Sequence, residues 1–260
     1  MSTSTFLSAT ALLNFNHPTI ARVLKKREWA ALSTYDGIGA VYNYVRDEID
    51  FGYNRSDAIP ASEVIKDGYG QCNTKAILLM ALFRAIGIES RLHGFTIHKD
   101  LQRGVVPEIL YPMAPDNIVH SWVEIRYQGR WIHLEGFILD NAYLKQLQRF
   151  VGGDTKGYCG YGVGTTNLQT PGVDWIGSDT YIQSTAINQD YGVFASPDAF
   201  YEIHGQDFSW WKRLLYRTIF RHWMNKRVRN IRTGHKPRPL PLAGCRPALT
   251  PEDKKTYTTR

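Results

Sequence analysis

DGYGQCNTKAILLMALFRAIG, residues 67 to 87, sets one of the chain's three cysteines between a glycine-rich turn and a strongly apolar run. From Asn73 to Ile86 the spacing predicts a buried helix. Ala76, Ile77, Leu79, Met80, Leu82, Phe83 and Ile86 cover most of its circumference, and Gly87 is the expected stop. A thiol at a helix start lies among unpaired backbone N–H groups and partial positive charge. Both favour the thiolate over a thiol whose ordinary pKa is about 8.5. The same N–H groups can hold a developing oxyanion, and Gly68 and Gly70 leave room for close approach. Read alone, such a cysteine is more often a small buried apolar residue.

A nucleophilic thiol needs an imidazole to take and return its proton, and the imidazole needs an acceptor to fix its tautomer. Three β-rich runs follow the helix: SRLHGFTI from Ser90, HSWVEIRY from His120 and RWIHLEGFIL from Arg130. YQGR joins the last two as a short hairpin turn with Gly129. On that hairpin His120 and Glu135 are expected as cross-strand neighbours, so Glu135 can orient His120. Glu124, which shares the strand parity of His120, and Asp140 are rival carboxylates.

In this order, GYGQCNTKAILLMALFRAIGIESRLHGF, HSWVEI and RWIHLEG resemble the core of the transglutaminase-like superfamily, within the papain-like cysteine fold. DAIPASEVIKDGYGQC also fits the approach common in its bacterial members, and the resemblance covers roughly residues 38 to 141. It implies an α+β fold with a nucleophile helix packed on an antiparallel sheet. Carried over by position, it makes Cys72 the nucleophile, His120 the acid/base and Glu135 the orienting acid, although the family's third residue is usually Asp. Tyr53 is a candidate second oxyanion donor, Gln71 flanks the thiol, and Trp122 is a candidate cleft wall. The implied chemistry is a thioester formed from a peptide, amide or acyl substrate and resolved by water or by an amine. Bacterial relatives lean toward water. A carbon nucleophile, giving condensation or cyclisation, is the alternative within that chemistry. A non-catalytic binding module is the alternative outside it and predicts loss of at least one of the three residues. No cofactor is implied. His93, His98 and His133 with Cys159 have no recognised ligand spacing, so no metal site is expected.

The 260 residues are 43% hydrophobic and 21% charged, which describes a globular chain able to bury a full core. No run approaches the roughly 18 apolar residues of a membrane span, and the N-terminus lacks the basic region of a signal peptide. Cys72, Cys159 and Cys245 are too scattered for a disulfide framework, which favours a reducing, cytoplasmic setting. The net charge of +7 is concentrated between Gln206 and Arg238, where ten cations face only Asp207. The expected organisation is a catalytic core with N-terminal helices over 1–150 and a Gly/Tyr-rich insertion of the same domain over 151–205. A basic amphipathic helix over 206–233 and a disordered Pro-rich tail over 234–260 follow. The basic helix has three readings: packing on the core or in a homodimer, peripheral membrane contact through 208–232, and, least favoured, nucleic-acid binding.

Overall fold

The helix of the opening stretch runs Cys72–Ala85, so the thiol occupies its first position. The structure, a computed structural model, describes residues 4–153, 156–205 and 209–237. In chain order the helices are α1 (Pro18–Arg27), α2 (Thr34–Asp47), α3 (Ala61–Asp67), α4 (Cys72–Ala85), α5 (Asn141–Val151) and α6 (Pro197–Ile203). A last helix follows as α7 (Trp210–Leu215), a π turn (Tyr216–Phe220) and α8 (Arg221–Arg232). The strands are β1 (Asp50–Phe51), β2 (Tyr69–Gly70), β3 (Ser90–His98), β4 (Asn117–Tyr127), β5 (Arg130–Leu134), β6 (Lys156–Gly160), β7 (Val163–Asn167) and β8 (Ile187–Phe194).

Helices and an antiparallel sheet make this an α+β fold. The sheet has strand order β5-β4-β3-β8. Strand alternation divides its side chains between two clusters. Leu92, Val119, Val123 and Ile125 join the main core with the wholly buried Ile77, Leu78, Leu79 and Met80 of α4. On the other face Phe95, Ile97 and Trp122 pack with Leu101, Ala186 and Ile187. The β4–β5 turn is the expected one. Gln128 and Gly129 both have positive φ (48° and 79°), the primed geometry that matches strand twist. A parallel pairing of β1 with β2 ties Phe51 to Gly70 immediately ahead of the thiol.

Gly70 serves the helix more than any incoming molecule. A Cβ there would stand 2.7 Å from Thr74 Oγ1 and 2.8 Å from the Lys75 side chain. Thr74 Oγ1 accepts a hydrogen bond from the Gln71 N–H at 3.1 Å, so the close approach of Gly70 belongs to the cap that starts α4.

Lys75, one turn beyond the thiol, is wholly buried. Its Nζ donates to the carbonyls of Arg46 at 3.1 Å and Ile138 at 3.0 Å, bridging α2 to the segment after β5. Burial lowers its pKa to about 7, against the pull of Asp140 and Asp47. The folded pKa thus lies below the unfolded one, so this group opposes folding at acid and neutral pH. Stability should therefore rise by at most about 4 kcal/mol between pH 7 and pH 10. Denaturant midpoints across that range should show this slope in the native chain and a flattened one in Lys75→Met. Parallel slopes would show that Lys75 is not its source.

The stretch before Cys72 contains α3 and both short strands. Two features depart from the sequence reading. The 151–205 region is no mere insertion: β8 pairs with β3 as the fourth strand of the main sheet, and α6 follows it. Cys159 is disulfide-bonded while Cys72 is a free thiol, so cysteine usage no longer argues for a reducing compartment. Cys245 and nearly all of the Pro-rich tail lie outside the described residues.

The basic helix lies against the core. Met224, Val228 and Ile231 are buried, Asn225 bonds both backbone groups of Tyr53, and Arg232 pairs with Asp140 at 2.6 Å. Its outer side leaves Trp210, Leu214, Ile219 and Trp223 about half exposed or more.

Candidate active site

Cys72 sits in the first turn of α4, where backbone N–H groups have no acceptor in their own helix. Asn73 fixes this helix end to the sheet. Its side-chain Nδ2 donates to the Val119 carbonyl at 3.0 Å, and its Oδ1 accepts from Ser121 Oγ at 2.9 Å. These two bonds bring β4, and with it His120, to the start of α4.

His120 and Glu135 are both fully buried, and His120 Nε2 lies 2.9 Å from Glu135 Oε1. The second carboxylate oxygen accepts the N–H groups of Ile182 and Gln183, each at 2.9 Å. The loop ahead of β8 thereby fixes the carboxylate. Among the described residues His120 Nδ1 has no well-formed hydrogen bond, and the Cys72 sulfur is near enough to act on the ring. Burial disfavours charge on this imidazole. The sulfur and the Glu135 carboxylate outweigh burial and raise its pKa, so the proton rests on the ring.

The register explains how Glu135 reaches. Val123 pairs with Leu134 and Tyr127 with Arg130, so continuing the ladder sets residue 135 opposite Trp122, not His120. Glu135 spans the diagonal from just beyond the end of β5, which the longer Glu side chain permits. The two are cross-strand neighbours on the diagonal, two positions from direct opposition.

Glu124 does share the face of His120 but serves another cluster. It receives Arg91 Nε at 2.7 Å, His93 Nδ1 at 2.7 Å and His133 Nε2 at 3.4 Å. Asp140 caps α5 and holds Arg232. Neither contacts His120. Trp122 does not line the cleft. Its ring is buried between Phe95, 4.1 Å between centroids, and His133, 5.3 Å. Tyr53 does line the cavity beside Cys72, but its hydroxyl is committed to Gln102 Oε1. Gln71 lines it too, its Nε2 donating to Asp57 Oδ1 at 2.9 Å.

Cys72 opens into a cavity of about 580 Å³. Among residues passed over in the sequence, Asp57, Tyr201, Tyr216 and three cations of the last helix line it. Tyr201 and Tyr216 are both close enough for the Cys72 sulfur to raise their pKa values further above the effect of burial. Tyr201 Oη is buried, with the Ser121 side chain as its near polar neighbour. Ser196-Pro197 ahead of it is a legible helix start: the Ser196 hydroxyl accepts from Ala199 N–H at 3.2 Å. Nothing in sequence, however, links that helix to Cys72. Among the described residues no cluster of three or more His, Cys, Asp or Glu side chains can hold a metal ion.

A helix-borne free thiol, an imidazole on the adjoining strand and a buried carboxylate behind it thus stand together in an α+β fold. Residues 25–136 match the model of the Transglutaminase-like superfamily. A solved structure from Cytophaga hutchinsonii, described as a candidate cysteine protease, is similar at 18% identity and a TM-score of 0.39. The match covers 52% of this chain and 42% of that one, so the chain spans about two fifths of that neighbour's length. No curated protein matches the chain.

Proposed function

We propose that the chain is a cysteine hydrolase working by acyl transfer: Cys72 is the nucleophile, His120 the acid/base and Glu135 the orienting acid. The observation that carries this reading is the division of labour on one ring, with His120 Nε2 held by Glu135 at 2.9 Å and the Cys72 sulfur near enough to act on the ring. In the first step the Cys72 sulfur attacks the carbonyl carbon of an amide or ester, and the carbonyl electron pair moves to oxygen. First-turn N–H groups of α4 support that oxyanion. When the tetrahedral adduct collapses, the bond to nitrogen or oxygen breaks and His120 gives its proton to the departing amine or alcohol. Water then attacks the thioester while His120 takes its proton, and the thiolate leaves as the acid forms. An amine in place of water gives transfer by the same path.

Labelling with iodoacetamide tests it. Cys72 should alkylate readily at pH 6 to 7, faster than free cysteine, and His120→Ala should remove that advantage by about tenfold or more. A Cys72 that is indifferent to both pH and the imidazole would identify it as a packing residue.

A further inference from the structure

Resting on that reading of Cys72, we propose that the donor substrate carries an anionic group, a carboxylate or a phosphate, that docks on Lys212, Arg213 and Arg217 while an apolar group packs on the apolar part of the same cavity. These three side chains line the same cavity as Cys72. None forms an ion pair with an acidic residue among the described residues. Arg55, the fourth cation of the lining, is already bound to Glu63. Asp57, the acid of the lining, accepts from Gln71 at 2.9 Å and is outnumbered by the three cations. The cavity wall therefore carries a surplus of positive charge. Concave low-dielectric walls focus such a field on whatever enters.

The helix makes a choice that packing alone does not require. Arg213 and Arg217 stand four residues apart, a like-charge spacing that weakens a helix. The helix also departs from α geometry over Tyr216–Phe220, a π turn of the kind often found at functional sites. Within it, Tyr216 Oη donates to the Asn54 carbonyl at 3.0 Å, seating this stretch against the segment that leads to the thiol. The same lining includes Val106, Pro107, Leu110, Met113 and Ile118, an apolar portion beside the charged one. A molecule with one charged and one greasy end matches that lining.

The test uses the full chain as Cys72→Ser, so that binding is read without turnover. Dansyl-Leu-Glu, dansyl-Leu-phosphoserine and neutral dansyl-Leu-Gln are titrated by anisotropy at low salt. At least one acidic probe should bind about tenfold more tightly than the neutral one. The better acidic probe distinguishes carboxylate from phosphate. Arg213→Glu with Arg217→Glu should abolish the preference, with Arg213→Gln and Arg217→Gln as the milder pair if the reversal unfolds the chain. Lys226→Glu with Arg229→Glu, exposed cations of the same helix outside the cavity, should leave it intact. Equal affinities, no acidic binding at millimolar probe, or equal loss in both double variants would overturn the proposal. In the unsubstituted chain, iodoacetate should gain on iodoacetamide at Cys72 and lose that gain in the Arg213/Arg217 pair. A Cys72 inert to both reagents would sink the catalytic reading while leaving the binding result standing on its own.

Discussion

Glu135→Gln should leave the fold standing yet cut turnover by on the order of 10³- to 10⁴-fold, with slowed alkylation of Cys72 at pH 6.5. Glu135 has two oxygens and two different clients. One accepts from His120 Nε2, and the other accepts from the Ile182 and Gln183 N–H groups, all at 2.9 Å. A carboxamide keeps one acceptor and gains two donors. If its oxygen stays with the two backbone groups, its NH2 faces His120 Nε2, which must then accept. The ring proton moves to Nδ1, the ring atom with no well-formed hydrogen bond among the described residues, and the neutral imidazole is then the wrong tautomer to take a thiol proton. Glu135→Ala is harsher. It strands a buried imidazole and two buried N–H groups, at a cost of about 3 to 5 kcal/mol. Thermal melts and alkylation rates measured together separate the variants. A Gln variant that alkylates and turns over like the parent would show that Glu135 does not set the tautomer.

Asp140→Ala should be the most damaging single change outside the thiol site, lowering stability by about 3 to 5 kcal/mol. Its Oδ1 caps α5 through Tyr143 N–H at 2.8 Å, and its Oδ2 accepts Phe51 N–H at 2.9 Å. Both oxygens receive Arg232, the shortest contact being 2.6 Å from Nη2. Three separate parts of the chain thus end on one carboxylate. Losing the cap alone costs about 1 kcal/mol. The larger part comes from a buried N–H and a guanidinium left with Asp50 at 3.4 Å as its remaining carboxylate. Burial would raise the Asp140 pKa, but Arg232 and the Phe51 N–H more than offset it and hold the carboxyl below the usual range. Because the folded pKa is the lower one, this stabilisation is present above about pH 4 and is lost as pH falls through the folded pKa. Asp140→Asn, which keeps a capping oxygen, should lie between the parent and Asp140→Ala. The difference in melting temperature between parent and Asp140→Ala should be on the order of 10 °C at pH 7 and shrink below pH 4. A constant difference across pH would mean that the carboxylate's charge is not what matters.

Much of this fold was legible because burial enforces pattern. The helix from Cys72 is apolar nearly all round, β3 and β4 are rich in β-branched and aromatic residues, and Gln128-Gly129 is a hairpin signal. The strand β8, INQDYGVF, was hidden for the opposite reason. It is an edge strand with several half-exposed polar residues, so no strict alternation is imposed on it. Helix α5 went unread although Asp140 is a sound N-cap, because its apolar residues follow without a break from RWIHLEGFIL.

At the site, Cys72, His120 and Glu135 were singled out by the order of the motifs, and the way they are held was not legible. The diagonal reach of Glu135 depends on the ladder ending at Leu134, and its second anchor comes from Ile182 and Gln183, nearly fifty residues downstream. Trp122 was a candidate cleft wall, but the pairing of β3 with β4 sets it among Phe95 and His133. The cationic wall was visible as a charge run, but its nearness to the thiol is a tertiary fact.

The cavity joins Cys72 to Arg217, 145 positions apart in the chain. A ribosome that has finished Glu135 must add roughly 80 residues, several seconds of synthesis, before Arg217 is made. Through that interval the nascent product holds its sulfur without the cations that line the finished cavity.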